Sequence, residues 1–290
     1  MTSRKEIIRH SSIQLLVVAL LAACAPTKNH QSNGTKDLST NLQITTLEEE
    51  LKPSSKIVGG VAVASEESIA TSTVALYNPV TGELCTATIV GKNLAVTAAH
   101  CASYQVENSI LIFERHLPNS SSDMKPVYRK ILKGKTHPDY NANSDGKNQG
   151  DIALLRFSGD LPAGYKPSLL LKNKAFLKPG MDVIIAGFGM LSMVPEVEAT
   201  ALMKAQIQIS NPNYSESEVL FEQFEGRGAC HGDSGGPAFV FANSQQILFG
   251  VTSRSATLNG GSTCLEGSIY TSVSFYLPWL KSVAAEILRD

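Results

Sequence analysis

A serine surrounded by glycines is the residue with the clearest chemical potential in this chain. Ser234 lies within Gly232–Pro237, which reads GDSGGP. A serine hydroxyl is a weak nucleophile on its own; it needs an adjacent base, an acid that orients the base, and donors for the oxyanion. The glycines permit a tight turn in which backbone N–H groups converge near the hydroxyl oxygen. The pattern therefore predicts a nucleophilic serine.

The order of residues along the chain separates two kinds of serine hydrolase. Taken alone, GDSGGP also satisfies the Gly-x-Ser-x-Gly elbow of α/β-hydrolases, which place their catalytic histidine after the serine. The histidines stand at positions 10, 30, 100, 116, 137 and 231, all before Ser234. The α/β-hydrolase order is therefore excluded, and the order His, Asp, Ser remains possible.

Candidates for the base and the acid stand beside apolar segments. His100 lies in Thr97–Cys101 (TAAHC), where the apolar segment and the adjacent cysteine would fix the backbone of a base. Without that context a single histidine is more often structural. Asp151 begins Asp151–Leu155 (DIALL); it is either a turn residue or cap, or a carboxylate buried against an imidazole N–H.

Four blocks in this order resemble the trypsin-like serine protease family: Ile57–Gly60 (IVGG), Thr97–Cys101, Asp151–Leu155 and Gly232–Pro237. The resemblance extends from Ile57 to the C-terminus. It implies that Ser234 attacks a peptide carbonyl, that His100 transfers the proton, and that Asp151 orients His100. It also implies that the N–H groups of Gly232 and Ser234 form the oxyanion hole. No cofactor is expected, and no metal either, because the cysteines lack the spacing of a zinc site.

The same resemblance implies the fold, which is all-β: two six-stranded antiparallel β-barrels followed by a C-terminal α-helix. The expected domain is 57–290, with an N-terminal barrel at 57–160, a linker at 161–179, a C-terminal barrel at 180–276 and the helix at 277–290. Two disulfides are expected from the resemblance, Cys85–Cys101 and Cys230–Cys264. Spacing alone leaves their connectivity open.

Composition and periodicity support all-β character independently. Aromatic residues make up 7% of the chain. Short apolar segments separated by turn residues, such as Thr73–Tyr77 and Val183–Ala186, are predicted to be strands. Only the C-terminus has a helical period; Pro278 suits the first turn, and Leu280, Val283, Ala284, Ile287 and Leu288 then share one face. The formal net charge of −1 gives no basic surplus for a nucleic-acid partner.

The N-terminus predicts export. Basic residues precede an apolar stretch in 1–23, as in a signal peptide, and the stretch ends at Cys24 in the sequence LAAC. This ending resembles a bacterial lipoprotein signal in which Cys24 receives the lipid; ordinary cleavage nearby is the alternative. The polar segment 24–56 is then a lipidated tether and propeptide. The protein is expected outside the cytoplasm, anchored to a membrane before processing and extracellular or periplasmic afterwards.

The junction between Lys56 and Ile57 resembles the cleavage site of a zymogen. By that resemblance an activating protease cuts after Lys56, and the new α-amino group of Ile57 inserts and pairs with Asp233. The alternative is that Ile57–Gly60 is only a first strand and turn. Since the segment between Cys24 and the cut contains no cysteine that could retain it, the same cleavage would release the enzyme from its anchor.

The expected substrates are proteins or peptides. By the same resemblance, Gly228, six residues before Ser234, occupies the floor of the P1 pocket, where a carboxylate would be needed to select lysine or arginine. Side chains at Ser255 and Ser268 would narrow the pocket, of which Ser253 is also part. Small or medium uncharged P1 residues are therefore expected.

Two other functional classes compete with an active endopeptidase. One is a catalytically inactive trypsin-fold protein that acts as a binding module, which the presence of every expected catalytic residue disfavours. The other is a lipoprotein with a structural role, which would require the tether and anchor to persist after maturation.

Overall fold

A computed structural model describes residues 57, 60–118, 125–141, 146–193, 196–197, 199–223, 228–257, 264 and 266–289. All of them belong to the compact unit Leu51–Asp290. The expected signal peptide at 1–23, the tether at 24–56 with Cys24, and Lys56 lie outside the described residues. None of the described helices is long and apolar enough to cross a membrane.

The first half of the chain is a closed barrel. Strand β1 (Val61–Ala62) precedes the barrel and pairs with a strand of the second half of the chain. The barrel strands are β2 (Thr73–Tyr77), β3 (Leu84–Gly91), β4 (Leu94–Thr97), β5 (Ile110–Ile112), β6 (Tyr128–Thr136) and β7 (Ala153–Phe157). They pair in the order β2-β3-β4-β7-β6-β5, and antiparallel pairing of β5 with β2 closes the ring. All four residues of β4 are buried, which explains why this segment is apolar throughout.

The second half is an extended antiparallel sheet. Besides β1, its strands are β8 (Leu169–Leu170), β9 (Asp182–Gly187), β12 (Met203–Gln208), β13 (Glu218–Glu222), β14 (Pro237–Ala242), β15 (Gln245–Ser255) and β16 (Gly267–Ser272). Strands β10 (Ser192–Met193) and β11 (Glu196–Val197) form a small separate hairpin. The sheet order is β1-β12-β9-β14-β15-β16-β13, and β8 pairs in parallel with β15. Strand β12 alternates buried and less buried residues, as expected when one sheet face covers a core.

The all-β class with a C-terminal helix is confirmed, with a difference in strand count. The second sheet has eight strands rather than six because the two-residue strands β1 and β8 add to it. A bridge between Asn211 and Leu220 joins β13 to the segment that follows β12, so the remaining six strands are linked end to end.

The helix begins earlier than expected. Helix α1 spans Val273–Ile287, so Pro278 lies inside it rather than in its first turn, at the loss of one backbone hydrogen bond. The physical reason is burial. Val273 and Tyr276 continue the buried face of Leu280, Val283 and Ile287 at intervals of three and four residues. Leu288, which was expected on that face, is 46% exposed.

Two large apolar clusters among the described residues, with a third of only three buried residues, stabilise the fold. The first joins the barrel to the buried face of α1 and to residues of the second sheet such as Phe239 and Leu248. The second fills the other sheet and includes Phe221 and Tyr270, whose rings meet edge to face at 4.9 Å. Because the first cluster contains residues from both halves, the halves are packed together through it, and side chains at their junction are held in fixed positions.

Candidate active site

The position of His100 is set by strand β4 and a disulfide. Strand β4 ends at Thr97, and His100 begins a short 3₁₀ turn, His100–Ala102. Cys101 in that turn is bonded to Cys85 of β3 with an S–S distance of 2.02 Å. The imidazole is 30% exposed, so one part of it is anchored while another remains accessible.

Asp151 is held just before β7 and faces His100. Its side chain is 4% exposed. Asp151 Oδ2 lies 2.9 Å from Nδ1 of His100, and Oδ1 accepts a hydrogen bond from the His100 backbone N–H at 3.0 Å. The hydroxyl of Ser253 donates to Oδ2 at 2.7 Å. Gly150, directly before, has φ +65°, and a Cβ there would lie 3.0 Å from the backbone of Asp139 and Tyr140.

The two side chains shift each other's pKa in the directions of an ion pair. Burial pushes the pKa of His100 down, but the hydrogen bond and charge of Asp151 outweigh it and raise the pKa above its usual value. Burial pushes the pKa of Asp151 up, but the hydrogen bond and charge of His100, with the Ser253 hydroxyl, lower it overall. Asp151 therefore stays ionised and can fix the tautomer that leaves Nε2 of His100 able to accept a proton.

Ser234 lies in a turn that packs on the backbone before His100. A Cβ on Gly235 would lie 2.0 Å from Oγ1 of Thr97 and 2.9 Å from the N of Ala98, so only glycine fits there. The Ser234 carbonyl accepts a hydrogen bond from the Thr86 N–H at 2.8 Å. Within the described residues its hydroxyl forms no hydrogen bond, to His100 or to any other group. Such a contact is often long before substrate binds.

Two backbone N–H groups at the Ser234 turn have no hydrogen-bond acceptor among the described residues. Gly232 has φ +90°, and a Cβ there would lie 2.9 Å from Cα of Gly189. The N–H of Asp233 bonds to the Cys230 carbonyl, and that of Gly235 to the Thr252 carbonyl. In the described part of the chain the N–H groups of Gly232 and Ser234 donate to no acceptor, as an oxyanion hole requires.

Asp233 is a second buried carboxylate, and its environment differs from that of Asp151. It is 1% exposed and accepts hydrogen bonds from the N–H groups of Gly189 and Cys230, both at 2.9 Å. Among the described residues no cation pairs with it. Burial raises its pKa to about 7, and the two backbone hydrogen bonds only partly oppose that shift. Ile57 is also fully buried and has φ +64°.

The expected pocket residues fall into two groups. Gly228 and Ser268 are brought together by a residue that sequence reasoning missed, Gln223, which contacts both. Ser255 pairs with Ser268 at the end of β15 and is half-buried. Ser253, in contrast, uses its hydroxyl on Asp151 and serves the His–Asp pair directly. A second disulfide, Cys230–Cys264, lies beside these residues.

A buried ion pair next to Ser253 was also missed. Arg254 Nη1 lies 2.8 Å from Oε1 of Glu218, whose side chain is 2% exposed. Burial pushes the pKa of Glu218 up, but the Arg254 hydrogen bond and charge, with nearby backbone N–H groups, lower it overall. The same Nη1 lies 3.4 Å from the Ser253 hydroxyl, so the pair supports the residue that holds Asp151. No local sequence pattern links positions 218 and 254.

In the part of the chain that the structure describes, one group of side chains brings possible metal ligands close together. Ligand atoms of Cys85, His100 and Cys101 lie within 4.8 Å of one another. Both cysteines are joined in a disulfide, so they offer no thiolate to a metal ion.

Comparisons with known proteins agree with this geometry. A family model described as Trypsin matches residues 57–280. Chymotrypsin-like elastase family member 1 of Homo sapiens is 30% identical over 215 residues, which cover 69% of this chain and 81% of that protein. The Bos taurus protein of the same name is 27% identical over 245 residues, covering 79% and 90%. A trypsin of Blomia tropicalis is 28% identical over 221 residues, covering 69% and 77%.

Replacing the carboxylate tests the electrostatics of the pair. In Asp151→Asn the pKa of His100 should fall, because the charge and hydrogen bond that raise it are lost while burial still lowers it. NMR titration of the His100 imidazole measures this shift. Asp139→Asn is the control, because Asp139 also lies beside a histidine, His137, but is 79% exposed. An unchanged His100 titration in Asp151→Asn would contradict the account.

Proposed function

The chain belongs to the trypsin family of serine proteases, and from that premise we propose that it is a serine endopeptidase made as an inactive precursor. The observation that carries the proposal is the hydrogen bond of 2.9 Å between the buried Asp151 carboxylate and the partly exposed His100 imidazole. It lies beside a glycine-rich turn in which, among the described residues, the Ser234 hydroxyl and two backbone N–H groups have no hydrogen-bond partner.

In the proposed reaction Ser234 Oγ attacks the scissile carbonyl carbon while Nε2 of His100 takes the hydroxyl proton. The carbonyl π electrons move to oxygen, and the N–H groups of Gly232 and Ser234 bind that oxyanion. Collapse of the intermediate breaks the C–N bond, and His100 gives its proton to the leaving amine. Water, activated in turn by His100, then hydrolyses the acyl-enzyme.

Asp151 acts through His100 in this scheme. Its two oxygens accept from Nδ1 and from the backbone N–H of the same residue, which fixes the ring in both rotation and tautomer. The negative charge also stabilises the imidazolium that forms when Ser234 loses its proton. Nδ1 keeps its proton bonded to the carboxylate throughout, so the transferred proton moves only through Nε2.

The precursor proposal rests on Asp233 and Ile57. A fully buried carboxylate with backbone donors only is costly when ionised, and its pKa of about 7 expresses that cost. Cleavage after Lys56 would create a positively charged α-amino group at Ile57. Pairing of that group with Asp233 would offset the cost and stabilise the turn that carries Gly232 and Ser234.

The backbone of Ile57 supports the same proposal. A β-branched residue at φ +64° is strained, typically by about 1–3 kcal/mol. The φ torsion of Ile57 includes the carbonyl carbon of Lys56, so cutting that peptide bond removes the torsion and its strain. Cleavage is therefore favoured locally at the residue that is expected to become the new N-terminus.

Export and a lipid anchor complete the proposal. Two disulfides are typical of proteins outside the cytosol. We infer a signal peptide at 1–23, lipid on Cys24 and a tether at 24–56, so that an activating protease cutting after Lys56 both activates the enzyme and frees it from the membrane.

A catalytically inactive binding protein is the alternative function. It would retain the trypsin fold and bind peptides without hydrolysing them. The intact His100–Asp151 pair and the free N–H groups at Gly232 and Ser234 favour the enzyme, because a binding module has no need for either.

Hydrolysis of casein tests the enzyme and its activation together. Full-length chain should become active only after cleavage at Lys56, and Ser234→Ala should abolish the activity of cleaved protein. Lys56→Gln should stay uncut and inactive. Activity is measured with labelled casein and the cut by N-terminal sequencing. If cleaved wild-type protein is as inert as Ser234→Ala, the binding function is favoured instead.

Membrane release is tested by fractionating cells that express the full-length chain. The uncut precursor is expected in the membrane fraction and the protein that begins at Ile57 in the soluble fraction, because the cut separates the domain from Cys24. Cys24→Ala should make both forms soluble. Active protein that begins at Ile57 and still sediments with membranes would contradict the release.

The pH dependence of stability tests the state of Asp233 in the precursor. Its pKa is raised on folding, so the folded chain binds more protons than the unfolded chain between the usual value of 3.8 and about 7. The free energy of unfolding of Lys56→Gln precursor should therefore fall as pH rises through this window, by at most about 4 kcal/mol.

Adding Asp233→Asn to that precursor should remove this contribution, whereas adding Asp182→Asn, a change at an exposed position, should not. Urea unfolding between pH 4 and 7.5 gives the comparison. His100, whose pKa is also raised, should leave a smaller slope near neutral pH. A pH slope that Asp233→Asn leaves unchanged would show that Asp233 is not the group responsible.

A further inference from the structure

The side chain of Gln223 occupies the floor of the expected P1 pocket. A Cβ on Gly228 would lie 1.8 Å from Nε2 of Gln223 and 2.0 Å from its Cδ. The amide therefore fills the space into which a side chain at position 228 would project. We propose that Gln223, rather than residue 228, selects the P1 side chain of the substrate. This proposal rests on the proposed endopeptidase function.

Several hydrogen bonds fix Gln223 in that place. Its Nε2 donates to the Ala229 carbonyl at 3.2 Å and lies 3.3 Å from the Ser268 hydroxyl oxygen. Its backbone N–H donates to the Glu266 carbonyl at 3.0 Å. Because a carbonyl can only accept, the amide nitrogen must face Ala229, which fixes the orientation of the amide group. Gln223 is 4% exposed, so it is a fixed part of the pocket wall.

The size of the accepted P1 side chain follows from this placement. A long P1 side chain would have to displace Gln223 and leave the Ala229 carbonyl and the Ser268 hydroxyl without their present partner. Unmade buried hydrogen bonds of this kind are costly. The pocket therefore accepts short P1 side chains. Gln223, which directly follows β13, sets this limit on length, and Gly228 does not.

The charge preference follows from the amide. A lysine or arginine at P1 needs a carboxylate at the pocket floor, because a buried unpaired cation is strongly disfavoured. Gln223 supplies a neutral group there, and its Oε1, buried without a hydrogen-bond partner in the described structure, carries only a partial charge. Substrates are therefore peptides with short, uncharged P1 residues such as alanine, serine, threonine or valine.

Three substitutions separate the contributions of volume and charge. Gln223→Ala empties the floor and should raise kcat/KM for P1 leucine relative to P1 alanine by about tenfold or more. Gln223→Met keeps the volume but loses the amide hydrogen bonds, so it should raise that ratio by less than Gln223→Ala does. Gln223→Glu places a carboxylate at the floor and should raise P1 lysine relative to P1 leucine by about tenfold or more.

The assay uses full-length chain cut with an immobilised lysine-specific protease that is then removed, and peptides that differ only at P1. Gln246→Ala is the matched control. Gln246 is also buried, and its Nε2 donates a hydrogen bond to the Ser72 hydroxyl. It lies near the start of β15, at the end opposite the expected pocket residue Ser255. Its loss should leave every P1 ratio unchanged. Protein with Ser234→Ala, treated in parallel, gives the background.

Each result has one meaning. The expected shifts in the Gln223 variants alone support the proposal. Unchanged P1 ratios in Gln223→Ala and Gln223→Glu, or equal shifts in Gln246→Ala, overturn it while leaving the endopeptidase function intact. Hydrolysis no faster than that of Ser234→Ala for every peptide and variant overturns the proposed function, and the role of Gln223 with it.

Discussion

The site depends on the hydrogen bonds that the buried Asp151 carboxylate accepts. Its oxygens are satisfied by His100 from the first barrel and by the Ser253 hydroxyl from β15 of the second sheet. Its backbone carbonyl accepts from the Thr271 hydroxyl of β16. A buried charge is tolerated only when it is paired and hydrogen-bonded, so the two halves must meet at this residue. The shared core and the Arg254–Glu218 pair maintain that contact.

Asp233 presents the opposite case within the same site. Asp151 is lowered in pKa by a partner that can be charged, whereas Asp233 has backbone donors only and its pKa rises to about 7. The environment of Asp151 stabilises its ion pair with His100. The environment of Asp233 makes its ionised form unfavourable, and a new cation beside it could offset that free-energy cost. In the proposed precursor, the His–Asp pair is already assembled, and the neighbouring turn would be stabilised by a cation that pairs with Asp233. This difference gives the precursor mechanism its physical basis.

Local patterns in the sequence predicted the fold class and the candidate residues His100, Asp151 and Ser234, because the order of the motifs constrains both. Strand β2 was predicted with its observed bounds because its apolar segment is continuous. The start of α1 was missed because burial of Val273 and Tyr276 outweighs the cost of an internal Pro278. Gln223 and the Arg254–Glu218 pair were missed because their roles come from contacts between strand ends, which no local spacing encodes. The role given to Ser253 as a pocket residue was incomplete for the same reason.

Labelling with a fluorophosphonate probe tests the central claim most directly, because the probe reacts with a serine only when its base and oxyanion donors are in place. The account predicts that protein that begins at Ile57 is labelled on Ser234 at least about a hundredfold faster than the Lys56→Gln precursor, the size expected for one oxyanion donor. It also predicts that Asp151→Asn slows the labelling of processed protein strongly. Equal rates for precursor and processed protein, or labelling at a residue other than Ser234, would contradict the account.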